Sequence, residues 1–184
     1  MKRILLLLVA FATISCGLNS SNSNKAAEHA AAEVIKRCEP LFTVTKDEFS
    51  DKAWVEPKSA PEYRNSNGVY AYFSLENGKA VNFRFVYQYY ADDWLFIKNM
   101  VFNIDGESIT IAPEMEKDCG NGGKIWEWCD VLVNESFIKK IAEAKAVKVI
   151  MNGRQHSDTR TLTSAEIQSI KDTYEYFKAL GGRF

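Results

Sequence analysis

From Val69 onward, apolar and polar residues change places at nearly every step. The runs "VYAYFSLE" (69–76) and "AVNFRFVYQYY" (80–90) have period two, the mark of strands with one face on a core. Asn77-Gly78 between them is a strong two-residue hairpin signal. In the second run Val81, Phe83, Phe85, Tyr87 and Tyr89 share one face, and Asn82, Arg84, Val86, Gln88 and Tyr90 share the other. Ala91-Asp92-Asp93 predicts a turn into "WLFIKNMVFNI", and Asp105-Gly106 a second tight turn into "ESITIAP". Four strands joined by short turns make an antiparallel meander. "KIWEWCDVLV" (124–133) and "AVKVIM" (146–151) add a fifth and a sixth strand.

Helical periodicity brackets this sheet. Lys25 to Cys38 is rich in Ala and carries a thin stripe of Ala27, Ala30, Val34 and Cys38, with Pro40 to stop it. Leu41 to Thr45 is a short β-like run, and the Pro-punctuated stretch through Asn67 predicts a loop. Asn134 caps a short helix over Glu135–Lys145. Thr163 and Glu166 have capping-box spacing ahead of a stripe of Ile167, Ile170, Tyr174 and Phe177, closed by Gly181. The order predicts an α+β fold: an antiparallel meander sheet of about five or six strands with helices packed on one face.

The N-terminus has a different pattern. Lys2 and Arg3 precede the uncharged apolar run Ile4 to Ile14, too short for the ~20 residues of a bilayer span and right for an export leader. After that run stands "TISC", Thr13 to Cys16. This stretch resembles the lipobox of bacterial lipoproteins, in which cleavage precedes a cysteine that becomes acylated. The resemblance implies lipidation of Cys16 and attachment to a membrane by acyl chains, with palmitate among them. The Ser/Asn/Gly run that follows cannot bury enough surface to fold and suits a tether. The expected organisation is therefore a leader over 1–15, a disordered tether over 16–25 and a single domain over 26–184. Gly17 after the cysteine implies the outer rather than the inner membrane of the cell envelope. Ala10-Phe11-Ala12 offers another cut, after Ala12, which would release the protein to the periplasm.

Composition then restricts function. The 184 residues carry a formal charge of −1, which gives no field for nucleic acid, and 46% hydrophobic residues with 26% charged ones fit one globular domain. Apart from Cys16 the cysteines are Cys38, Cys119 and Cys129, and an oxidising envelope allows one bridge among them. Cys119–Cys129 closes the shortest loop, while pairs with Cys38 would tie the first helix to the sheet. As a nucleophile, Cys119 in "DCGNGG" would need His29 or His156 as its base, and a hydrolase built on it, or on an acidic pair assembled by the fold, is the alternative reading. Asp118, Glu127 and Asp130 lack calcium-loop spacing and predict a solvated acidic rim. No cofactor or metal is expected.

Aromatic residues, 12% of the chain, carry the remaining candidate chemistry. Trp126 and Trp128 share the strand face opposite Ile125, Cys129 and Val131. They are core if that face is covered. If it is open they form a binding patch with Tyr90 and Trp94 for an envelope protein, a glycan or a small ligand. The segments "YYADDWLFI", "NIDG" and "AKAVKVIMNG" with the final capped helix resemble, over 69–184, a domain recurrent in uncharacterised bacterial envelope proteins. That resemblance implies no catalytic residues. Together these readings predict a lipid-anchored envelope protein acting as a binding or structural module.

Overall fold

The structure, a computed structural model, describes the backbone of residues 18–184 and the side chains from Lys25. Cys16 and the leader expected before it lie outside the described residues. Helix α1 (Leu18–Cys38) begins well upstream of Lys25. The part of the expected tether that is described, from Leu18, is thus helical in backbone, continuous with the Ala-rich segment that favours the helix.

Among the described residues ten strands form two antiparallel sheets, and the class is α+β. The larger sheet holds β1 (Phe42–Lys46), β2 (Lys52–Pro57), β3 (Gly68–Glu76), β4 (Lys79–Ala91), β7 (Glu116–Cys119) and β8 (Ile125–Leu132), in the order β1-β2-β3-β4-β8-β7. The smaller holds β5 (Asn99–Ile104), β6 (Glu107–Ile111), β9 (Val147–Asn152) and β10 (Ser157–Thr161), in the order β10-β9-β5-β6. The meander is real but starts earlier than the alternation suggests, at β1, and it ends at β4. There the chain leaves the first sheet and enters the second. Strand β2 lies inside the stretch expected to be loop. Strands β7 and β10 lie where the alternation predicts none.

Asn77 and Gly78 have φ of 51° and 75°, the left-handed pair of a two-residue hairpin, and they set Glu76 opposite Lys79. Asn82, at φ 54°, sits where the β3–β4 register shifts by one residue. The shift moves Val81 off the core face and puts Ala80 on it, a correction to the strict alternation. Beyond it Phe83, Phe85, Tyr87 and Tyr89 point inward as their pattern predicts.

Two bodies share that inner face. At the β3 end lies α3 (Ser164–Ala179), whose Phe177 meets Phe73 and Phe83 at 5.4 and 5.2 Å between ring centroids. At the β4–β8 end lies the smaller sheet, with α2 (Glu135–Glu143) wedged in by Phe137. That ring stands edge-on to Phe85 at 5.4 Å and to Phe102 at 5.2 Å, so one aromatic ties both sheets to the helix layer. Helix α1 packs on α3 through its last turns, where Val34, Ile35 and Cys38 are covered, while residues 25–30 are exposed on all sides. Glu166 closes the predicted capping box of α3 with Thr163 and also accepts from Val69 N–H at 3.2 Å. Burial opposes its ionisation, but Arg160 and Thr163 outweigh that and hold the carboxyl below its ordinary value.

The crossover from β4 to β5 is held by a single buried acid. Glu127, with no exposed surface, faces inward from β8. Its carboxylate accepts the amide N–H groups of Leu95, Phe96 and Ile97 at 2.8, 2.8 and 2.9 Å. Successive inward amides of this kind make an anion-holding nest, and here Phe96 takes φ 52° to form it. Such backbone costs about 1–3 kcal/mol, which three charge-assisted hydrogen bonds offset. Glu127 is thus no part of a solvated acidic rim.

Replacing Glu127 by Gln turns one acceptor into a donor facing amide N–H groups. The expected loss is about 2–3 kcal/mol of stability. Urea unfolding would show it as a lower midpoint with unchanged slope, and a wild-type midpoint would contradict the role given to the nest.

Candidate binding groove

The strand positions opposite the core residues form the outer face of the larger sheet. On β8 these are Trp126, Trp128 and Asp130, and register sets them beside Tyr90, Gln88 and Val86 of β4. On β3 they are Tyr70, opposite Val86, and Tyr72, opposite Arg84. On β2 and β1 they are Trp54 and Glu56, with Thr45 opposite Trp54. The helices and the second sheet occupy the inner face, so this one stays open. Its centre is a groove of about 360 Å³.

The groove lies between two aromatic ridges. One is on β8, where the Trp126 and Trp128 rings stack at 3.5 Å with planes 15° apart. The other is on β2 and β3, where Tyr70 and Tyr72 stack at 6.2 Å and Trp54 meets Tyr72 edge-on at 5.8 Å. Strand β4 runs between them with Val86 and Gln88 as floor. Two strand spacings put the ridge backbones about 10 Å apart, which leaves a slot about one flat ring or one alkyl chain wide.

The loop between β2 and β3 closes one end. Tyr63 packs edge-on against Trp126 at 4.5 Å, and the Arg64 guanidinium lies 5.8 Å from the Trp126 ring centre. Arg64 also pairs with Asp118 and donates to the Cys119 carbonyl at 3.1 Å, and its own carbonyl accepts from Asn121 N–H at 3.0 Å. Gly120 permits this clasp, since a Cβ there would stand 2.6 Å from the Tyr90 ring. As a result Trp126 is only 1% exposed, with its indole N–H donating to Gln88 Oε1 at 2.9 Å.

The structure therefore divides the expected patch. Trp126 is buried in the groove wall beneath Tyr63, and Trp128 lines the groove beside it. Tyr90, next to Trp126, turns to the loop after β7 and donates its hydroxyl to Asn121 O at 2.6 Å. Trp94 is elsewhere, stacked on Phe96 in the crossover. Trp54, Glu56, Tyr63, Tyr70, Tyr72 and Asp130 belong to the groove although the pattern reading did not place them there. Tyr70 and Tyr72 carried a usable signal, because they alternate with Val69, Ala71 and Phe73.

Asp130 is already engaged, accepting from the Tyr72 hydroxyl at 2.6 Å and from Arg84 Nε at 2.7 Å. Burial first, and then the nearby Asp130, push the Tyr72 hydroxyl well above its ordinary value. Burial, followed by Glu56, does the same for Tyr70. Both tyrosines present rings and protonated hydroxyls to a ligand rather than a base. Among the described residues no three metal-binding side chains gather.

No protein-family model, curated protein or solved structure matches the chain. The groove itself is what a functional reading has to work from.

Cys38, Cys119 and Cys129 are free thiols, so the expected bridge is not formed. Register explains it: Cys119 stands opposite Ile125, at the far end of β8 from Cys129, which faces inward opposite Tyr87. Cys38 is buried against α3, its thiol 3.7 Å from the Asp172 carbonyl. Cys119 is exposed on the edge strand β7, whereas His156 belongs to the β9–β10 turn of the other sheet and His29 to the exposed part of α1.

Iodoacetamide should modify Cys119 rapidly in the folded protein and Cys38 and Cys129 only in denaturant, as read by peptide mass mapping. Equal rates at all three would contradict the burial described. Burial pushes the Cys129 thiol up to about 12, so the fold keeps a proton that the unfolded chain releases near 9. The stability that this thiol contributes should therefore be constant from neutral pH to about pH 9 and fall as pH rises from there towards 12. Urea midpoints across that range test the sign.

Proposed function

We propose that the protein is a lipid-anchored binding module of the cell envelope, held through Cys16 and taking its ligand in the aromatic groove. The supporting observation is an uncovered sheet face on which Trp54, Tyr70, Tyr72 and Trp128 converge around a slot. Interior aromatics need no such slot. A groove of this size, apolar in its walls with a few polar groups along it, has the make-up of a ligand site. The anchor reading comes from the leader and the "TISC" stretch, and two or more acyl chains would hold such a domain stably at a bilayer. The lipobox resemblance, with Gly17 after the cysteine, supports attachment to the outer membrane.

Labelling cells with radioactive palmitate tests the anchor. Label should enter the wild-type protein and be lost in Cys16→Ala, and equal labelling of both would reject it. Tryptophan fluorescence tests the groove against envelope glycans, peptides and small amines. A saturable change in the wild type should weaken about tenfold or more in Trp128→Ala, while the urea midpoint shows that the variant stays folded. An identical titration for the two proteins would put the ligand elsewhere.

A further inference from the structure

The side chains around the groove are unequal in charge. Six of the lining residues are aromatic and two, Glu56 and Asp130, are carboxylates, while no Lys or Arg is among them. Arg84 neutralises Asp130 from β4 at 2.7 Å. Glu56 has no cation within ion-pair distance among the described residues, so the groove keeps one uncompensated negative charge. An anionic ligand would meet that charge and the electron-rich ring faces together.

The protein's own cations show what these rings attract. Lys52 Nζ lies 5.2 Å from the Trp54 ring centre, and Arg64 lies 5.8 Å from that of Trp126. Each is at the groove margin, over a tryptophan of a different ridge. Trp128 is the third tryptophan. Trp126 stacks on one of its faces, and the ring is among those that line the slot. Among the described residues no cation of the protein lies over it.

We propose that the groove takes an organic cation, a quaternary ammonium or a protonated amine, with its charged head among the rings of Trp128, Tyr70 and Tyr72. This rests on reading the groove as a ligand site. Ring faces attract such a head, and attract it more strongly where water is displaced. Glu56 supplies the balancing charge, and the hydroxyls of Tyr70 and Tyr72 stay protonated, so the rings carry no charge of their own. A slot about 10 Å between ridge backbones admits an ammonium head or an alkyl chain and leaves no room for a folded partner.

Titration of the full chain with tetramethylammonium chloride, with choline chloride and with a neutral disaccharide, each against sodium chloride at equal ionic strength, tests the assignment through tryptophan fluorescence. Both ammonium salts should give a saturable change that sodium chloride does not. Glu56→Gln should weaken it about three- to tenfold, and Trp128→Ala should abolish it. Trp128→Phe keeps a ring and should restore part of the response, which covers the case in which the alanine variant fails to fold. A saturable response to the disaccharide without one to the ammonium ions overturns the cation and leaves the groove reading standing. A response that persists in Trp128→Phe and Trp128→Ala alike, or an absence of response to every ligand, overturns both.

Discussion

Three amide N–H groups converge on the carboxylate of Glu127, and the arrangement of the two sheets depends on that convergence. The segment from Asp92 to Lys98 has to leave the end of β4, an interior strand of one sheet, and enter another sheet lying beneath it. A path of that kind buries backbone donors that no strand partner can satisfy. The buried acid of β8 satisfies three of them at once. With the crossover fixed, Phe102 and Met151 of the second sheet come up under Phe85 and Tyr87, to the point where the Tyr87 hydroxyl donates to the Met151 sulfur. The two sheets pack on one side of β4 and β8, and the other side carries the groove.

The same strand therefore serves two surfaces. Trp126, Trp128 and Asp130 alternate with Glu127 and Cys129 along β8, so the residues that join the sheets sit between the residues that build the groove. A strand anchored this tightly underneath makes a rigid support for side chains above it, and rigid support is what holds a ring-lined slot at constant width. The Tyr63–Arg64 clasp adds a stop at one end, fastened to Asp118 and Cys119 of the edge strand β7 and to Asn121 of the loop after it.

Much of this was readable before any coordinates. Asn77-Gly78 and the run after it define the β3–β4 hairpin, and Thr163 with Glu166 marks the start of α3. The expected four-stranded meander went astray at "WLFI", four apolar residues that look like a strand. Leu95 and Ile97 are buried in a loop because a distant acid holds the amides of residues 95–97, and no local pattern can announce that. Strands β7 ("EKDC") and β10 ("SDTRT") are exposed edges without apolar alternation, so they are formed by pairing with β8 and β9 rather than by their own sequence. The prolines around β2 concealed it for the opposite reason, since Pro57 closes that strand and takes no part in breaking it. In the groove, Trp126 and Trp128 were legible from alternation alone. That Trp126 would be roofed by Tyr63, more than sixty positions earlier, was not. Cys119 and Cys129 are set apart by register, a property of the pairing and not of sequence separation.

Among its described side chains, helix α1 touches the rest of the protein by its last turns. Six residues from Lys25 to Ala30, exposed on all sides, amount at 1.5 Å each to about 9 Å of rod standing clear of the body. A rod transmits direction where a flexible segment transmits only an average separation. Any point of attachment ahead of Leu18 would therefore govern which way the domain faces as well as how far off it stands.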